Sequence, residues 1–263
     1  MVRKEFDETK KIVEQSKVED SNGNIISLEQ KVTYIDPDGE EHIYNSVGEG
    51  DTIEVIMPDS QRIDVEYAKD SLEGVEFRRV IVGVNSDDGV LVIPEGVLPI
   101  IVDYGYCVSV TNKDMHVVLY EDVVAGLSAP EGEIVLSIEL ADSTNMNRTQ
   151  MRIVGDSYAV SIELKVNGSY VTQLKGDAEV SLVPGYLSIS VNRVSEDGSL
   201  EPIEFEYDID TGKLTFQVQH FSIYMVGMEG SETSEPPYML IIVALIVAAV
   251  LVVAFLLSRR SRE

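Results

Sequence analysis

The sequence predicts an all-β, β-sandwich-like protein with one or two short helices, and three observations support this prediction. Short runs of β-branched and aromatic residues recur between residues 80 and 218. Turn signals separate these runs at intervals of about eight to twelve residues, as in β-sandwiches and barrels. Several turns contain Asn-Gly or Asp-Gly pairs, which favour the positive φ angles of tight hairpins. The predicted strands are 80–84, 90–93, 107–110, 117–119, 134–140, 160–164, 180–183, 187–191, 203–207 and 214–218.

Two segments have helical signals, and both are short. Residues 94–102 begin with a proline, which the first helical turn tolerates. Residues 121–127 begin with two acidic residues, which stabilise a helix N-terminus. Because neither segment exceeds about two helical turns, we expect helices that decorate a β fold rather than a helical layer.

The first 75 residues are more polar than the rest and contain a weak repeat. Asp20-Ser-Asn-Gly recurs sixteen residues later as Asp36-Pro-Asp-Gly, each time between polar strands. Further strands are predicted at 52–57 and 62–67. A two-stranded hairpin alone is only marginally stable. We therefore expect a small, polar β-hairpin module at 1–75 that needs a neighbour, followed by the sandwich-like surface domain at 76–226.

The segment 239–257, which starts at Met239 and ends at Leu257, predicts a single transmembrane helix. It contains no charged residue, proline or glycine, and 14 of its 19 residues are Leu, Ile, Val or Phe. A helix of this length spans about 28 Å, which matches the hydrocarbon core of a bilayer. Its apolar side chains favour insertion by about 6 kcal/mol. We therefore expect the lipid bilayer as a partner. The predicted parts are a linker at 227–237, a transmembrane helix at 238–258 and a basic tail at 259–263.

The charges on either side of this segment predict its orientation. Arg259, Arg260 and Arg262 follow it, whereas the preceding linker carries three Glu and no Lys or Arg. Because basic flanks stay in the cytoplasm, we expect a single-pass protein with an extracellular N-terminal domain and a cytoplasmic tail. The first residues lack the apolar run of a signal peptide. Either further domains precede this chain in a longer secreted protein, which we favour, or the domain is cytosolic and the anchor inserts tail-first.

Charge and cysteine content limit the classes of partner and cofactor. The chain has 46 acidic and 20 basic residues and a formal net charge of −26. Because phosphate binding needs a basic surface, we expect no nucleic-acid partner. Cys107 is the only cysteine, so no internal disulfide can form, and its neighbours suggest a buried strand position. The three histidines lack metal-ligand spacing, so neither a zinc site nor another cofactor is expected.

The most distinctive motif closes the β region. Residues 207–216 form a unit of tyrosine, acidic turn, glycine and strand, which leads into His220-Phe-Ser-Ile-Tyr224. The other contributing segments are 93–98, 117–122 and 195–200. On these residues, the region 74–228 resembles a β domain of bacterial and archaeal cell-surface proteins, including S-layer-associated ones. The resemblance implies a structural or accessory module without shared catalytic residues. The apolar C-terminal segment departs from many bacterial relatives, which carry wall-binding repeats there.

Apolar residues change phase within this closing motif. In 214–218 they occupy even positions, whereas in 221–225 they occupy odd positions. Because side chains alternate strictly along a strand, we predict a bulge at Gln219–His220. The bulge would place His220, Ser222 and Tyr224 on one face as a structural hydrogen-bond cluster. A catalytic role has no support, because the sequence lacks Gly-x-Ser-x-Gly and a third group to orient the histidine.

Two further kinds of site have sequence signals. Acidic turns supply the hard oxygen ligands of calcium, although none matches an EF-hand loop and Asp also dominates ordinary solvated turns. Asn-x-Ser/Thr sequons mark glycosylation sites if the domain is extracellular. The calcium candidates are Asp36, Asp38, Asp208 and Asp210, and the glycosylation candidates are Asn147 and Asn167.

Together these features predict a membrane-anchored, prokaryotic cell-surface protein with a structural or adhesive role, such as a stalk or spacer, and no catalysis. The alternative is an extracellular binding module that captures a carbohydrate, peptide or cation through its loops. Exposed tyrosines clustered on one sheet face would favour this alternative. Beyond the bilayer, the expected partners are cell-surface proteins or glycans.

Overall fold

The computed structural model of the protein describes residues 10–21, 25–58, 62–74, 77–127 and 132–228. Strands make up 55% of the structure and helices 13%, in two sheets, so the prediction of a mostly β protein with few short helices is confirmed. No helix in the described ranges is both long and apolar enough to cross a membrane. The predicted transmembrane segment 238–258 and the tail 259–263 lie outside these ranges, as does all of the linker beyond residue 228.

Seventeen strands and four helices occur in the described part of the chain. In chain order they are β1 (Lys10–Glu19), β2 (Ile25–Ile35), β3 (Glu41–Glu49), β4 (Thr52–Ile56), α1 (Val65–Ser71), β5 (Arg79–Asn85), β6 (Val90–Ile93), α2 (Leu98–Tyr104), β7 (Cys107–Asn112), β8 (Met115–Leu119), α3 (Glu121–Gly126), β9 (Ile134–Leu140), α4 (Arg148–Val154), β10 (Tyr158–Val166), β11 (Ser169–Tyr170), β12 (Gln173–Leu182), β13 (Ser188–Val194), β14 (Leu200–Ile203), β15 (Phe205–Asp208), β16 (Lys213–His220) and β17 (Ile223–Met228).

The larger sheet has the order β1-β2-β3-β4-β5-β7-β8-β12-β16-β15 within the described residues. Strands β1 to β4 form an antiparallel meander. In contrast, β4 pairs with β5 in parallel, and β5 pairs with β7 in parallel. Parallel neighbours need a crossover connection, and α1 and α2 lie in these two connections. Because β4 precedes residue 75 and β5 follows it, the predicted boundary between a hairpin module and a sandwich domain falls inside one continuous sheet.

The second sheet has the order β14-β13-β17-β10-β9-β6, and β11 pairs with β10. Side chains of both sheets meet in one hydrophobic core, which includes Val110 of the larger sheet and Ile138 of the second sheet. Burying such a side chain contributes roughly 1.5–3 kcal/mol. The core therefore holds the two sheets together.

Two of the four helices in the described residues were predicted from the sequence, and two were not. The predicted helices 94–102 and 121–127 correspond to α2 and α3. The predicted strand 62–67 is wrong, because the Asp64 side chain accepts a hydrogen bond from the Tyr67 amide and starts α1. Helix α4 was not predicted.

Cys107 occupies the buried strand position that the sequence suggests. Its thiol donates a hydrogen bond to Glu121 Oε2 at 3.1 Å. Burial and the neighbouring Glu121 carboxylate raise the pKa of the Cys107 thiol to about 12. Because the thiolate is the reactive form, this residue acts as a small core side chain.

Candidate functional site

The closing motif lies where the chain passes from one sheet to the other. Strand β16 ends at His220 in the larger sheet, and β17 begins at Ile223 in the second sheet. The change of phase therefore follows from a change of sheet. The ladder between β12 and β16 is irregular at the predicted position, between the pairs Ala178↔Val218 and Gln173↔His220, but the extra residues lie on β12.

Tyr224 stabilises this crossing between the sheets. Its side chain is 1% exposed, and its ring centroid lies 5.4 Å from that of Phe216. Its hydroxyl donates a hydrogen bond to the main-chain carbonyl of His220, and burial raises its pKa. Tyr224 belongs to the core shared by the two sheets. The motif thus supplies a hydrogen bond that spans the crossing, although Tyr224 does not share a surface with His220 and Ser222.

A cleft of about 720 Å³ lies beside the crossing and unites three sequence-predicted residues, Asn147, His220 and Ser222. It runs between β10, β13, the start of α4 and the crossing itself. Arg193 and Tyr170 also line it. We take this cleft as the candidate functional site, because it gathers residues from five separated parts of the chain.

The floor of the cleft is held by hydrogen bonds to one carbonyl. The main-chain oxygen of Val194 accepts from Gln150 Nε2 at 3.1 Å and from the Ser222 hydroxyl at 3.4 Å. Ser222 therefore supports the floor, and it has the geometry of a structural group rather than of a nucleophile aligned with a base.

The walls of the cleft carry charged residues and aromatic side chains, which include Tyr170 and Phe221. Arg193 Nη2 lies 2.7 Å from Glu201 Oε2. Lys165 Nζ lies 3.0 Å from Glu163 Oε2 and 4.6 Å from the centroid of the Tyr170 ring, which is 62% exposed. These contacts pair two charged lining residues, Arg193 and Glu163, with oppositely charged neighbours. Arg193 and Tyr170 were not predicted as site residues, because neither lies in a motif.

Asn147, the first glycosylation candidate, is the N-cap of α4. Its Oδ1 accepts hydrogen bonds from the amides of Thr149 and Gln150 at 2.8 and 3.0 Å. Its Nδ2 donates to the Glu196 carbonyl at 3.0 Å. The Gln150 side chain accepts from the Asn147 amide at 3.0 Å and completes a capping box. Both the oxygen and the nitrogen of the Asn147 side-chain amide therefore make hydrogen bonds within the protein.

Asn167, the second candidate, lies in the exposed turn between β10 and β11 at φ +52°. This left-handed conformation suits Asn at a hairpin turn. A β-carbon at Gly132 would lie 1.5 Å from Asn167 Oδ1, so the two residues are in close contact. Glycosylation of either asparagine stays a prediction.

The calcium candidates lie in two separate turns. In the β15–β16 turn, Asp208 accepts from the Asp210 amide at 2.9 Å and from the Thr211 hydroxyl at 2.7 Å. Both bonds lower the pKa of the Asp208 carboxyl, and the bond from the Thr211 hydroxyl has the larger effect. Its carboxylate therefore stabilises its own turn. In the β2–β3 turn, Asp36 lies near His42, whereas Asp38 accepts from the Glu40 amide at 3.4 Å. Calcium binding by the four aspartates stays a prediction.

A second polar cluster, which was not predicted, lies on the outer face of the larger sheet. Glu54 of β4 accepts hydrogen bonds through the same oxygen from Ser109 of β7 and from His116 of β8, the latter at 3.2 Å. A β-carbon at Gly83 would lie 2.0 Å from Ser109 Oγ, so the glycine makes room for the cluster. No sequence signal links these residues, because they lie on strands whose pairing order departs from the chain order.

The cluster contains a serine, a histidine and a carboxylate, yet its geometry differs from that of a catalytic triad. In a triad the serine donates to the histidine and the histidine to the carboxylate. Here Ser109 and His116 both contact Glu54. Burial alone would raise the pKa of Glu54, but the hydrogen bond and charge of His116 and the Ser109 hydroxyl together lower it. The cluster therefore stabilises a carboxylate.

We expect Glu54→Gln to lower the free energy of unfolding at pH 7 by about 1.5–3 kcal/mol, because charge-assisted hydrogen bonds are lost. Since the folded-state pKa of Glu54 is lowered, its contribution is present above the unfolded pKa of about 4.3 and is lost as the pH falls through the folded value. The difference between wild type and variant should shrink below about pH 4. Urea unfolding at several pH values measures it.

The control for this experiment is Glu95→Gln, because Glu95 is exposed in the loop before α2. It should change stability by less than about 0.5 kcal/mol at any pH. A Glu54→Gln penalty that stays constant from pH 7 to pH 3 would contradict a role for the carboxylate charge.

Comparison with protein-family models, with curated proteins and with solved structures gives no match for this chain. The resemblance of residues 74–228 to prokaryotic cell-surface β domains therefore stays a prediction that rests on its motifs.

Proposed function

We propose that the protein is a non-catalytic structural or adhesive module of a prokaryotic cell surface, a sandwich-like stalk or spacer that the segment 239–257 anchors in the membrane. The observation that carries this proposal is the position of β17, the strand that precedes the linker and the apolar segment. It lies inside the second sheet, between β13 and β10.

A central strand suits an attachment point. Tension from a membrane anchor would act first on β17, which pairs with β10 from Tyr158↔Val226 to Ser161↔Ile223 and with β13 on its other side. Extraction would break two ladders of hydrogen bonds and expose Val226, which is buried in the core. An edge strand would have one ladder to lose. This arrangement supports transmission of force through the domain.

The larger sheet supports a spacer role as well. Neighbouring strands lie about 4.8 Å apart, so ten strands place the two edge strands at most about 43 Å apart across the sheet. Strands β1 and β2 pair along their length, from Lys10↔Ile35 to Glu19↔Ile25. A spacer of this kind keeps its length because hydrogen bonds join each strand to the next. The net charge of the whole chain, −26, favours solubility of such a domain in an aqueous exterior.

The second candidate function is capture of a carbohydrate or peptide in the 720 Å³ cleft. The specific observation in its favour is the convergence of Arg193, His220 and Tyr170 around a floor fixed by Ser222. Tyr170 is the single exposed tyrosine among the described residues, so the expected cluster of exposed tyrosines is not found there. We therefore rank this function below the structural one.

Membrane extraction of the full chain tests the first proposal. We expect the chain to stay in the membrane after alkaline carbonate treatment, and protease added to intact cells to digest the β domain. A variant with Val247→Arg and Val250→Arg should be released, because two central arginines cost about 5–7 kcal/mol and offset the insertion energy. Val247→Leu with Val250→Leu is the matched control.

Two outcomes would count against the proposal. Release of the wild-type chain by carbonate would remove the anchor, and protection of the β domain in intact cells would place it inside. Glycan binding that disappears in Arg193→Ala, while membrane attachment is unchanged, would favour the cleft as the functional site.

A further inference from the structure

The structure brings together three potential metal ligands of different chemistry at the β2–β3 hairpin. The side-chain ligand atoms of Asp36, Glu40 and His42 all lie within 4.8 Å of one another. His42 Nε2 is 3.0 Å from Asp36 Oδ2. From the sequence, Asp36 was a calcium candidate and His42 had no role, because their distance along the chain matches no common metal motif.

The hairpin fixes the backbone beneath these side chains. The Asp36 amide donates to the Glu40 carbonyl at 2.9 Å, and the Gly39 amide donates to the Asp36 carbonyl at 2.8 Å. On the adjoining strands, Tyr34 pairs with His42. The three ligands thus lie on one short, hydrogen-bonded segment, and an ion would need only side-chain rotations to draw them together.

The surroundings of the hairpin are negatively charged and partly shielded from water. The side chains of Asp36 and His42 are 28% and 33% exposed. The nearby carboxylates of Asp64 and Asp36 raise the pKa of the buried Tyr44 in addition to the effect of its burial. Glu40 is exposed. A concentration of negative charge at such a site attracts cations.

We propose that Asp36, Glu40 and His42 bind a divalent transition-metal ion such as Zn²⁺ or Cu²⁺, with water in the remaining coordination positions. An imidazole nitrogen with two carboxylates suits these borderline ions. Calcium takes six to eight oxygen ligands, so a site with one nitrogen and two carboxylates discriminates against it. Such a site does not depend on the proposed surface role.

Isothermal titration of the full-length chain with ZnCl₂, in mild detergent, tests the site. The wild type should bind one Zn²⁺ at the hairpin, whereas His42→Ala and Asp36→Asn should each weaken binding at least about tenfold. CaCl₂ should not compete at equal concentration. With Co²⁺ as the probe, visible d–d absorption should appear in the wild type and be lost in His42→Ala.

Asp38→Asn is the matched control, because it removes the same charge from the same turn without removing a member of the converging group. It should leave Zn²⁺ affinity within about twofold of the wild type. Equal weakening by Asp38→Asn and Asp36→Asn would overturn the proposal and indicate diffuse attraction to acidic turns. Undiminished Zn²⁺ binding in His42→Ala would overturn it as well. If His42→Ala fails to fold, His42→Gln replaces it.

Discussion

Replacing Gly89 with alanine is expected to lower the free energy of unfolding by more than about 3 kcal/mol, because the new β-carbon has no space. Gly89 is buried at φ +66° in the turn between β5 and β6. The β-carbon would lie 1.9 Å from the main-chain oxygen of Ile138 and 2.6 Å from Asn112 Nδ2. Left-handed φ angles alone cost a non-glycine residue about 1–2 kcal/mol, and the contact with a backbone atom adds to this.

The backbone near Gly89 cannot move away cheaply, because it joins the two sheets. The Ile138 amide of β9 donates to the Gly89 carbonyl at 2.8 Å. The side chain of Asn112, at the end of β7 in the larger sheet, donates to the Ile138 carbonyl at 3.2 Å. A shift that relieved the contact would break these bonds and disturb Ile138, which is fully buried in the shared core. Urea unfolding monitored by circular dichroism measures the loss.

Gly105→Ala provides the matched control, because Gly105 has φ +64° and a β-carbon added there would meet no atom within 4 Å. It should cost only the backbone penalty of about 1–2 kcal/mol. Equal losses for the two variants would show that the close approach at Gly89 contributes nothing to stability.

Local sequence patterns predicted much of this turn and little of its surroundings. The Asp88-Gly89 pair marked the turn, and short runs of β-branched residues marked β5, β6 and β9. The pairing of β9 with β10 and β6, and of β5 with β4 and β7, depends on long-range packing. The residue pattern within a strand indicates which side chains face inward, but it does not indicate which strands are neighbours. The two parallel pairs and the extent of the larger sheet therefore could not be predicted.

The candidate site shows the same limit at the level of single residues. The motif at 220–224 predicted a structural role, but the hydrogen bond from Tyr224 to the His220 carbonyl depends on a crossing between two sheets. At Asn147, the sequence Asn-x-x-Gln supports a capping box, and it was interpreted only as a sequon. Arg193 reaches the cleft through the fold alone.

Replacing Tyr224 with alanine is expected to destabilise the protein by about 3–5 kcal/mol, the range for removing a buried aromatic side chain. The ring is 1% exposed and packs on Phe216, and its hydroxyl fastens the His220 carbonyl at the crossing. Tyr224→Phe keeps the ring and removes the hydrogen bond, so it should cost about 0.5–1.5 kcal/mol. Thermal and urea unfolding of the two variants separate ring packing from the hydrogen bond.

Tyr170→Ala is the control for aromatic content, because Tyr170 is 62% exposed at the rim of the cleft. It should change the free energy of unfolding by less than about 0.5 kcal/mol. A penalty for Tyr224→Ala as small as that for Tyr170→Ala would contradict the role of the crossing as a joint between the sheets. It would also weaken the proposed role of β17 in bearing force, since β17 begins immediately after this crossing.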